Sequence, residues 1–112
     1  MTMTCEAEAH FNTLSQQKGH QLVIILSDTC PDCIPVRRYL PVLEQFYPNL
    51  NIYVFNRMTL SETVVNLTIE GVPAFLLFQE GNLKARWTDR KAKPFIEVKA
   101  FIDAALKEDG ET

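Results

Sequence analysis

The most constraining feature of this sequence is an apolar run that leads directly into a pair of cysteines. Residues 22–26 are aliphatic without interruption, which predicts a strand covered on both faces, as in a parallel α/β sheet. Residues 27–33 contain Asp and Pro, residues typical of a turn from a strand into a helix. Beyond that turn an amphipathic helix is predicted from a stripe of apolar residues at helical spacing: Val36, Tyr39, Leu40, Leu43, Phe46 and Tyr47.

The remaining segments extend this strand–helix unit into an α/β fold. Further strands are predicted at residues 51–56, 71–78 and 83–87, with a short edge strand at residues 1–5. Helices are predicted at residues 6–18, at residues 59–67 behind a capping box, and from Pro94 onward. Together these elements predict one domain over residues 1–112. Its central mixed sheet has four to five strands, with helices on both faces.

Charge and cysteine content exclude several classes of protein. A formal charge of −3 argues against a nucleic-acid binder, whose surface would be basic. No apolar run approaches the roughly 18 residues of a membrane span, and the N-terminus does not resemble a secretory signal. Three cysteines are too few for a disulfide scaffold, so we expect a reducing cytoplasm. A monomer is the default expectation for an architecture of this kind. The basic segment 84–93 is interpreted as the solvated surface of an edge strand; the alternative is that residues 89–91 favour acidic partners.

Cys30-Pro-Asp-Cys33 is the motif with reactive chemistry. A cysteine at a helix N-terminus lies beside unpaired backbone N–H groups, which stabilise the thiolate that attacks disulfides. The two-residue spacer brings the second thiol round the same turn, and Pro31 is expected at the first position of the helix, where its missing N–H would have had no partner. A zinc ligand pair, an inert packing pair and an iron–sulfur anchor are the alternatives. Zinc would need four N or S ligands, and neither His10 nor His20 has a suitable spacing from the pair. We therefore predict no metal.

The arrangement resembles the thioredoxin-like superfamily over residues 7–107. Five features carry the resemblance: the Cys-x-x-Cys motif after strand 22–26, the Leu-Pro-Val-Leu-Glu of residues 40–44, the Gly-Val-Pro of residues 71–73, the Glu-Gly of residues 80–81, and the amphipathic C-terminal helix. The sequence is most similar to small cytoplasmic bacterial members with a Cys-Pro-Asp-Cys centre. The resemblance implies a thioredoxin-like fold.

The resemblance also implies roles for individual residues. Cys30 matches the exposed nucleophile and Cys33 the buried thiol that resolves the mixed disulfide. Pro73 matches the cis-proline beside the dithiol, and the Val72 backbone matches the strand edge that docks a substrate chain. Thr29 and Pro31 are expected to add substrate contacts. For Asp28 and Asp32, which flank the nucleophile, two interpretations stay open and are compatible: capping of the helix, and proton handling for the resolving thiol. Ile24 stands where thioredoxins have a buried carboxylate.

The expected activity is thiol–disulfide exchange with no cofactor beyond the redox-active Cys30–Cys33 disulfide. The implied partners are protein or small-molecule disulfides, together with a thioredoxin reductase or another dithiol donor. The alternative function is a redox-responsive binding module that uses the cis-proline groove without efficient turnover.

Overall fold

The computed structural model describes residues 2–5, 11–13, 18–60, 66–89 and 91–110. The strands and long helices among them are, in chain order, β1 (Thr2–Cys5), β2 (His20–Leu26), α1 (Cys33–Phe46), β3 (Asn51–Asn56), β4 (Ala74–Gln79), β5 (Asn82–Trp87) and α2 (Phe95–Gly110). Neither of these helices is long and apolar enough to pass through a membrane.

The strands form a five-stranded sheet in the order β1-β3-β2-β4-β5. β1 and β2 both pair in parallel with β3, whereas β4 is antiparallel to β2 and to β5. The predicted mixed sheet, its hairpin and the short N-terminal edge strand are therefore confirmed. This pairing brings the ends of β2 and β3 and the start of β4 to one border of the sheet. We call it the carboxyl edge: residues 27–30, 57–58 and 70–73.

β2 lies in the middle of the sheet, and both of its faces are covered. All five residues of the aliphatic run, residues 22–26, are fully buried. Leu22, Ile24 and Leu26 face one apolar cluster, and Val23 and Ile25 face another on the opposite side. Side chains alternate between the two faces along a strand, so an uninterrupted aliphatic run is what a doubly covered strand requires.

Both long helices pack on the face of the sheet that contains Ile24. The side chains that the two helices bury against this face are Cys33, Val36, Tyr39 and Leu43 from α1, and Val98, Ile102 and Ala105 from α2. The opposite face is covered by Phe11, Leu60, Leu67 and Ile69. Residues 11–13 form a helical turn, but the helices predicted at residues 6–18 and 59–67 otherwise lie mostly outside the described residues.

Two expectations about the helix α1 need correction. α1 begins at Cys33, with Asp32 as its N-cap, so Pro31 precedes the helix instead of occupying its first position. Phe46, predicted to face inward, is 53% exposed. Its ring packs against Phe95 at 5.7 Å, and Lys99 Nζ lies 5.4 Å from its centroid. Near the end of the helix, the apolar stripe has rotated away from the sheet.

Lys93 is buried, contrary to the interpretation of residues 84–93 as solvated surface. Its Nζ donates to the carbonyl of Asp89 at 2.8 Å, to the Asp89 carboxylate at 3.1 Å and to the carbonyl of Lys91 at 3.1 Å. The ammonium also lies 5.2 Å from the centroid of the Trp87 ring. These contacts satisfy the buried charge and tie the segment after β5 to the core.

Candidate active site

The two cysteines lie at the carboxyl edge, in the turn that joins β2 to α1. The Cys30 N–H donates to the Ser27 carbonyl at 3.3 Å, and the Cys33 N–H donates to the Cys30 carbonyl at 3.1 Å. Both cysteines are free thiols; Cys30 is half-buried, whereas Cys33 is 1% exposed. The turn therefore presents Cys30 to the surface and points Cys33 into the core, the difference in exposure that the sequence predicts.

The surroundings of Cys33 favour its neutral form. Burial, and then a hydrogen bond with the Cys30 thiol, raise its pKa from the ordinary 9.0 to about 12. A hydrogen bond with the Ser27 backbone and the charge of Arg37 act in the opposite direction but are outweighed. At neutral pH Cys33 is consequently a protonated thiol in contact with its partner.

The segment before β4 approaches the dithiol from the other side. The Val72–Pro73 peptide bond is cis, the isomer that the resemblance implies. The Cys30 Sγ donates to the carbonyl oxygen of Val72 at 3.5 Å, across 42 residues of sequence. Val72 is half-buried and Pro73 is buried. The structure thus brings Cys30 together with the backbone to which the resemblance assigns substrate docking.

Contacts with the end of β5 anchor this segment. The Gly71 N–H donates to the carbonyl of Thr88 at 3.1 Å, and the Thr88 hydroxyl donates to the Glu70 carboxylate at 3.2 Å. Arg86 donates to the Thr68 carbonyl at 2.9 Å. The residues before Pro73 are therefore held by backbone and side-chain bonds at several points, which fixes the position of the Val72 carbonyl.

A groove of about 300 Å³ runs along the carboxyl edge beside Cys30. Its lining residues are Cys30, Asp32, Arg57, Glu70, Gly71 and Val72. The sequence analysis missed Arg57 and Glu70, although their positions contain a signal. Arg57 directly follows β3, the parallel neighbour of β2, and the ends of adjacent parallel strands share one edge of a sheet. Glu70 lies three residues before Pro73.

The other predicted site residues are near the cysteines but make different contacts. Both carboxylate oxygens of Asp28 have a partner: Oδ1 forms an ion pair with Arg37 Nη2 at 3.5 Å, and Oδ2 accepts a hydrogen bond from Asn56 Nδ2 at 3.3 Å. Asp32 is exposed and makes no side-chain cap bond, although it lines the groove. Thr29 and Pro31 are exposed beside Cys30. Proton handling by the two aspartates and substrate contacts by Thr29 and Pro31 stay predictions.

Metal chemistry has no visible basis in the part of the chain described here. No group of three or more His, Cys, Asp or Glu side chains there could hold a metal ion. The reactive groups of the site are the two thiols.

A dithiol between a central strand and a helix, facing a cis-proline within a β1-β3-β2-β4-β5 sheet, defines a thioredoxin-like protein. The Thioredoxin family model matches residues 1–104. The chain therefore belongs to the thioredoxin family.

Solved structures of other thioredoxins have the same fold. Thioredoxin from Trypanosoma brucei brucei superposes with a TM-score of 0.79 at 11% identity, covering 100% of this chain and 93% of that one. Thioredoxin f2 from Chlamydomonas reinhardtii gives 0.77 at 21% identity, covering 93% and 95%. Oxidised mitochondrial thioredoxin 3 from Saccharomyces cerevisiae gives 0.76 at 19% identity, covering 91% and 94%. Family membership and fold indicate thiol–disulfide oxidoreductase activity in general.

Proposed function

We propose that this protein is a thiol–disulfide oxidoreductase in which Cys30 attacks partner disulfides and Cys33 resolves the mixed disulfide. The observation that carries the proposal is the unequal pair of thiols: Cys30 lines a groove, whereas Cys33 is buried with a raised pKa. A buried, protonated second thiol does not compete for the incoming disulfide. It stays within contact of Cys30 and is used in the second step.

The reaction balances over two exchanges. The Cys30 thiolate bonds to one sulfur of the partner disulfide, and the other sulfur leaves as a thiolate that takes up a proton. Cys33 then loses its proton and attacks Cys30 Sγ. The Cys30–Cys33 bond forms, and the second partner sulfur departs and is protonated. Two electrons and two protons pass from the dithiol to the partner, which is released as a dithiol.

The proposed partners are protein and small-molecule disulfides, docked along the Val72 backbone beside Cys30. The contact between Cys30 Sγ and the Val72 carbonyl supports this placement because a chain bonded to that backbone has its sulfur within reach. Turnover then requires a dithiol donor, such as a thioredoxin reductase, to reduce the Cys30–Cys33 disulfide. We place the activity in the cytoplasm, where a reducing glutathione pool favours the dithiol state.

Catalytic turnover tests the proposal. Wild-type protein should accelerate the reduction of insulin disulfides by dithiothreitol over many turnovers, and Cys30→Ser should abolish the acceleration. Cys33→Ser should give one equivalent of mixed disulfide and little further turnover, because no second thiol releases the partner. Stoichiometric capture without turnover by the wild type would instead favour a redox-responsive binding module. No reaction of any kind would contradict both functions.

A further inference from the structure

The groove beside Cys30 contains a cation for which the described residues supply no ion-pair partner. Arg57 is exposed and lines the groove, while its backbone N–H donates to the Leu26 carbonyl at 2.8 Å. That bond fixes Arg57 at the end of β3, one strand away from the β2 end that leads to Cys30. Within the described residues, the Arg57 guanidinium makes no ion pair or side-chain hydrogen bond. Its charge is therefore available to a bound partner.

The two carboxylates of the groove differ in how far they offset this cation. Glu70 accepts the Thr88 hydroxyl at 3.2 Å and lies 3.8 Å from Arg86 Nη2, so its charge is already partly balanced. Asp32 is exposed at the start of α1 and has no capping bond. Among the described residues, the groove thus presents one positive charge without an ion pair, Arg57, and one negative charge without an ion pair, Asp32, and both line it together with Cys30.

The order of the strands places these charges relative to a docked chain. A chain bonded to the Val72 backbone lies over the start of β4, with Cys30 at the end of β2 beside it. Arg57 stands beyond Cys30, at the end of the next strand. Side chains that flank the partner's cysteine and reach past Cys30 therefore meet the guanidinium.

We propose that Arg57 is a specificity-determining residue that makes this groove prefer disulfides with an Asp or Glu flanking the target cysteine. The inference rests on the proposed function, since it concerns the attack of Cys30 on a partner sulfur. Arginine suits this task because its planar guanidinium pairs with carboxylates through two parallel hydrogen bonds. The Asp32 carboxylate repels an acidic partner, so replacing Asp32 by a neutral residue should strengthen the preference for Asp or Glu.

The single attack step provides a test that needs no turnover. Short peptides with one cysteine activated as a 2-pyridyl disulfide, and with Glu, Gln or Lys before or after it, react with the protein in the Cys33→Ser background. The Cys30 thiolate bonds to the peptide sulfur, and the pyridyl sulfur leaves and takes up a proton from the solvent to give neutral 2-thiopyridone, whose absorbance gives the second-order rate constant. Rates with 2-mercaptoethanol correct for the intrinsic reactivity of each peptide.

The expected result is a corrected rate for the Glu peptide about threefold above that of the Gln peptide at low salt, with the Lys peptide slower than both. The advantage should disappear in about 1 M salt, where charges are screened within a few ångströms. Arg57→Gln should abolish it at low salt. Arg38→Gln is the matched control, because Arg38 is an exposed arginine on α1 outside the groove, and it should retain the full preference. Asp32→Asn should increase it.

Two results would overturn the inference and leave the proposed function intact. One is equal corrected rates for the Glu, Gln and Lys peptides in the parent protein. The other is a Glu preference that survives in Arg57→Gln. If the neutral Gln peptide fails to react with Cys30 at all, the proposed function fails and the inference fails with it.

Discussion

The raised pKa of Cys33 makes a specific prediction about the stability of the reduced protein. Folding raises this pKa from the ordinary 9.0 to about 12, so the folded state holds the proton more tightly than the unfolded state does. The resulting stabilisation is fully present below about pH 9 and is lost as the pH rises towards 12. The Cys33 thiol should therefore lower the unfolding free energy of the reduced protein in alkaline solution.

The size of the effect follows from the difference between 9.0 and about 12, which is three pH units. Each unit corresponds to about 1.4 kcal/mol, so the complete loss amounts to about 4 kcal/mol. At about pH 10 the folded thiol is still protonated and the unfolded one is mostly ionised. The loss at that pH is about 1 kcal/mol, and at about pH 8 it is close to zero.

Urea unfolding of the reduced protein at several pH values between 8 and 10 measures this loss. The quantity to follow is the difference in unfolding free energy between wild type and Cys33→Ser. Tyr39 and Tyr47, whose pKa values burial also raises, contribute to both proteins and cancel. The oxidised wild type, which has no thiol at residue 33, is a second control. A difference that stays constant across this pH range would refute the assigned environment of Cys33.

Three further predictions concern the helix α1. Tyr39→Phe should cost about 1–2 kcal/mol in urea unfolding, because the buried carbonyl that accepts its hydroxyl at 2.7 Å loses its partner. Leu43→Ala, at a fully buried position, should cost about 2–5 kcal/mol, whereas Phe46→Ala, half-exposed on the same helix, should cost well under half as much; equal losses would contradict the observed rotation of the apolar stripe. Arg37→Gln should raise the pKa of Cys33 further, because the charge of Arg37 lowers it in the wild type. Cys33 would then ionise less readily, so a mixed disulfide on Cys30 should live longer when its decay is followed by rapid acid quench. An unchanged lifetime would show that this charge does not assist resolution.

Sequence patterns predicted the sheet well because a strand that is buried on both faces needs a continuous run of apolar residues. The uninterrupted aliphatic run at residues 22–26 can only be buried on both faces, and it is the centre of the sheet. The boundaries of β3 agree with the prediction at both ends. Near the end of α1, the apolar stripe predicted burial less well. Phe46 packs against Phe95 of α2 at the surface, and such a contact between distant residues has no local periodicity.

The parts of the candidate site that depend on residues close together in the sequence were predictable. The Cys-x-x-Cys spacing and its place between strand and helix identified the dithiol and the more exposed thiol. Arg57, Glu70 and the buried Lys93 were missed because their positions depend on strand pairing and on the path of the segment after β5. Lys93 in particular is buried only because two carbonyls, a carboxylate and an aromatic ring converge on its ammonium.

The central claim is that Cys30 attacks and Cys33 resolves. Its most direct test is to react the reduced wild type with substoichiometric iodoacetamide at neutral pH and to locate the label by peptide mass spectrometry. The more exposed Cys30 should be labelled, and the buried, protonated Cys33 should remain unlabelled until the protein is unfolded. Preferential labelling of Cys33 in the folded protein would contradict the account.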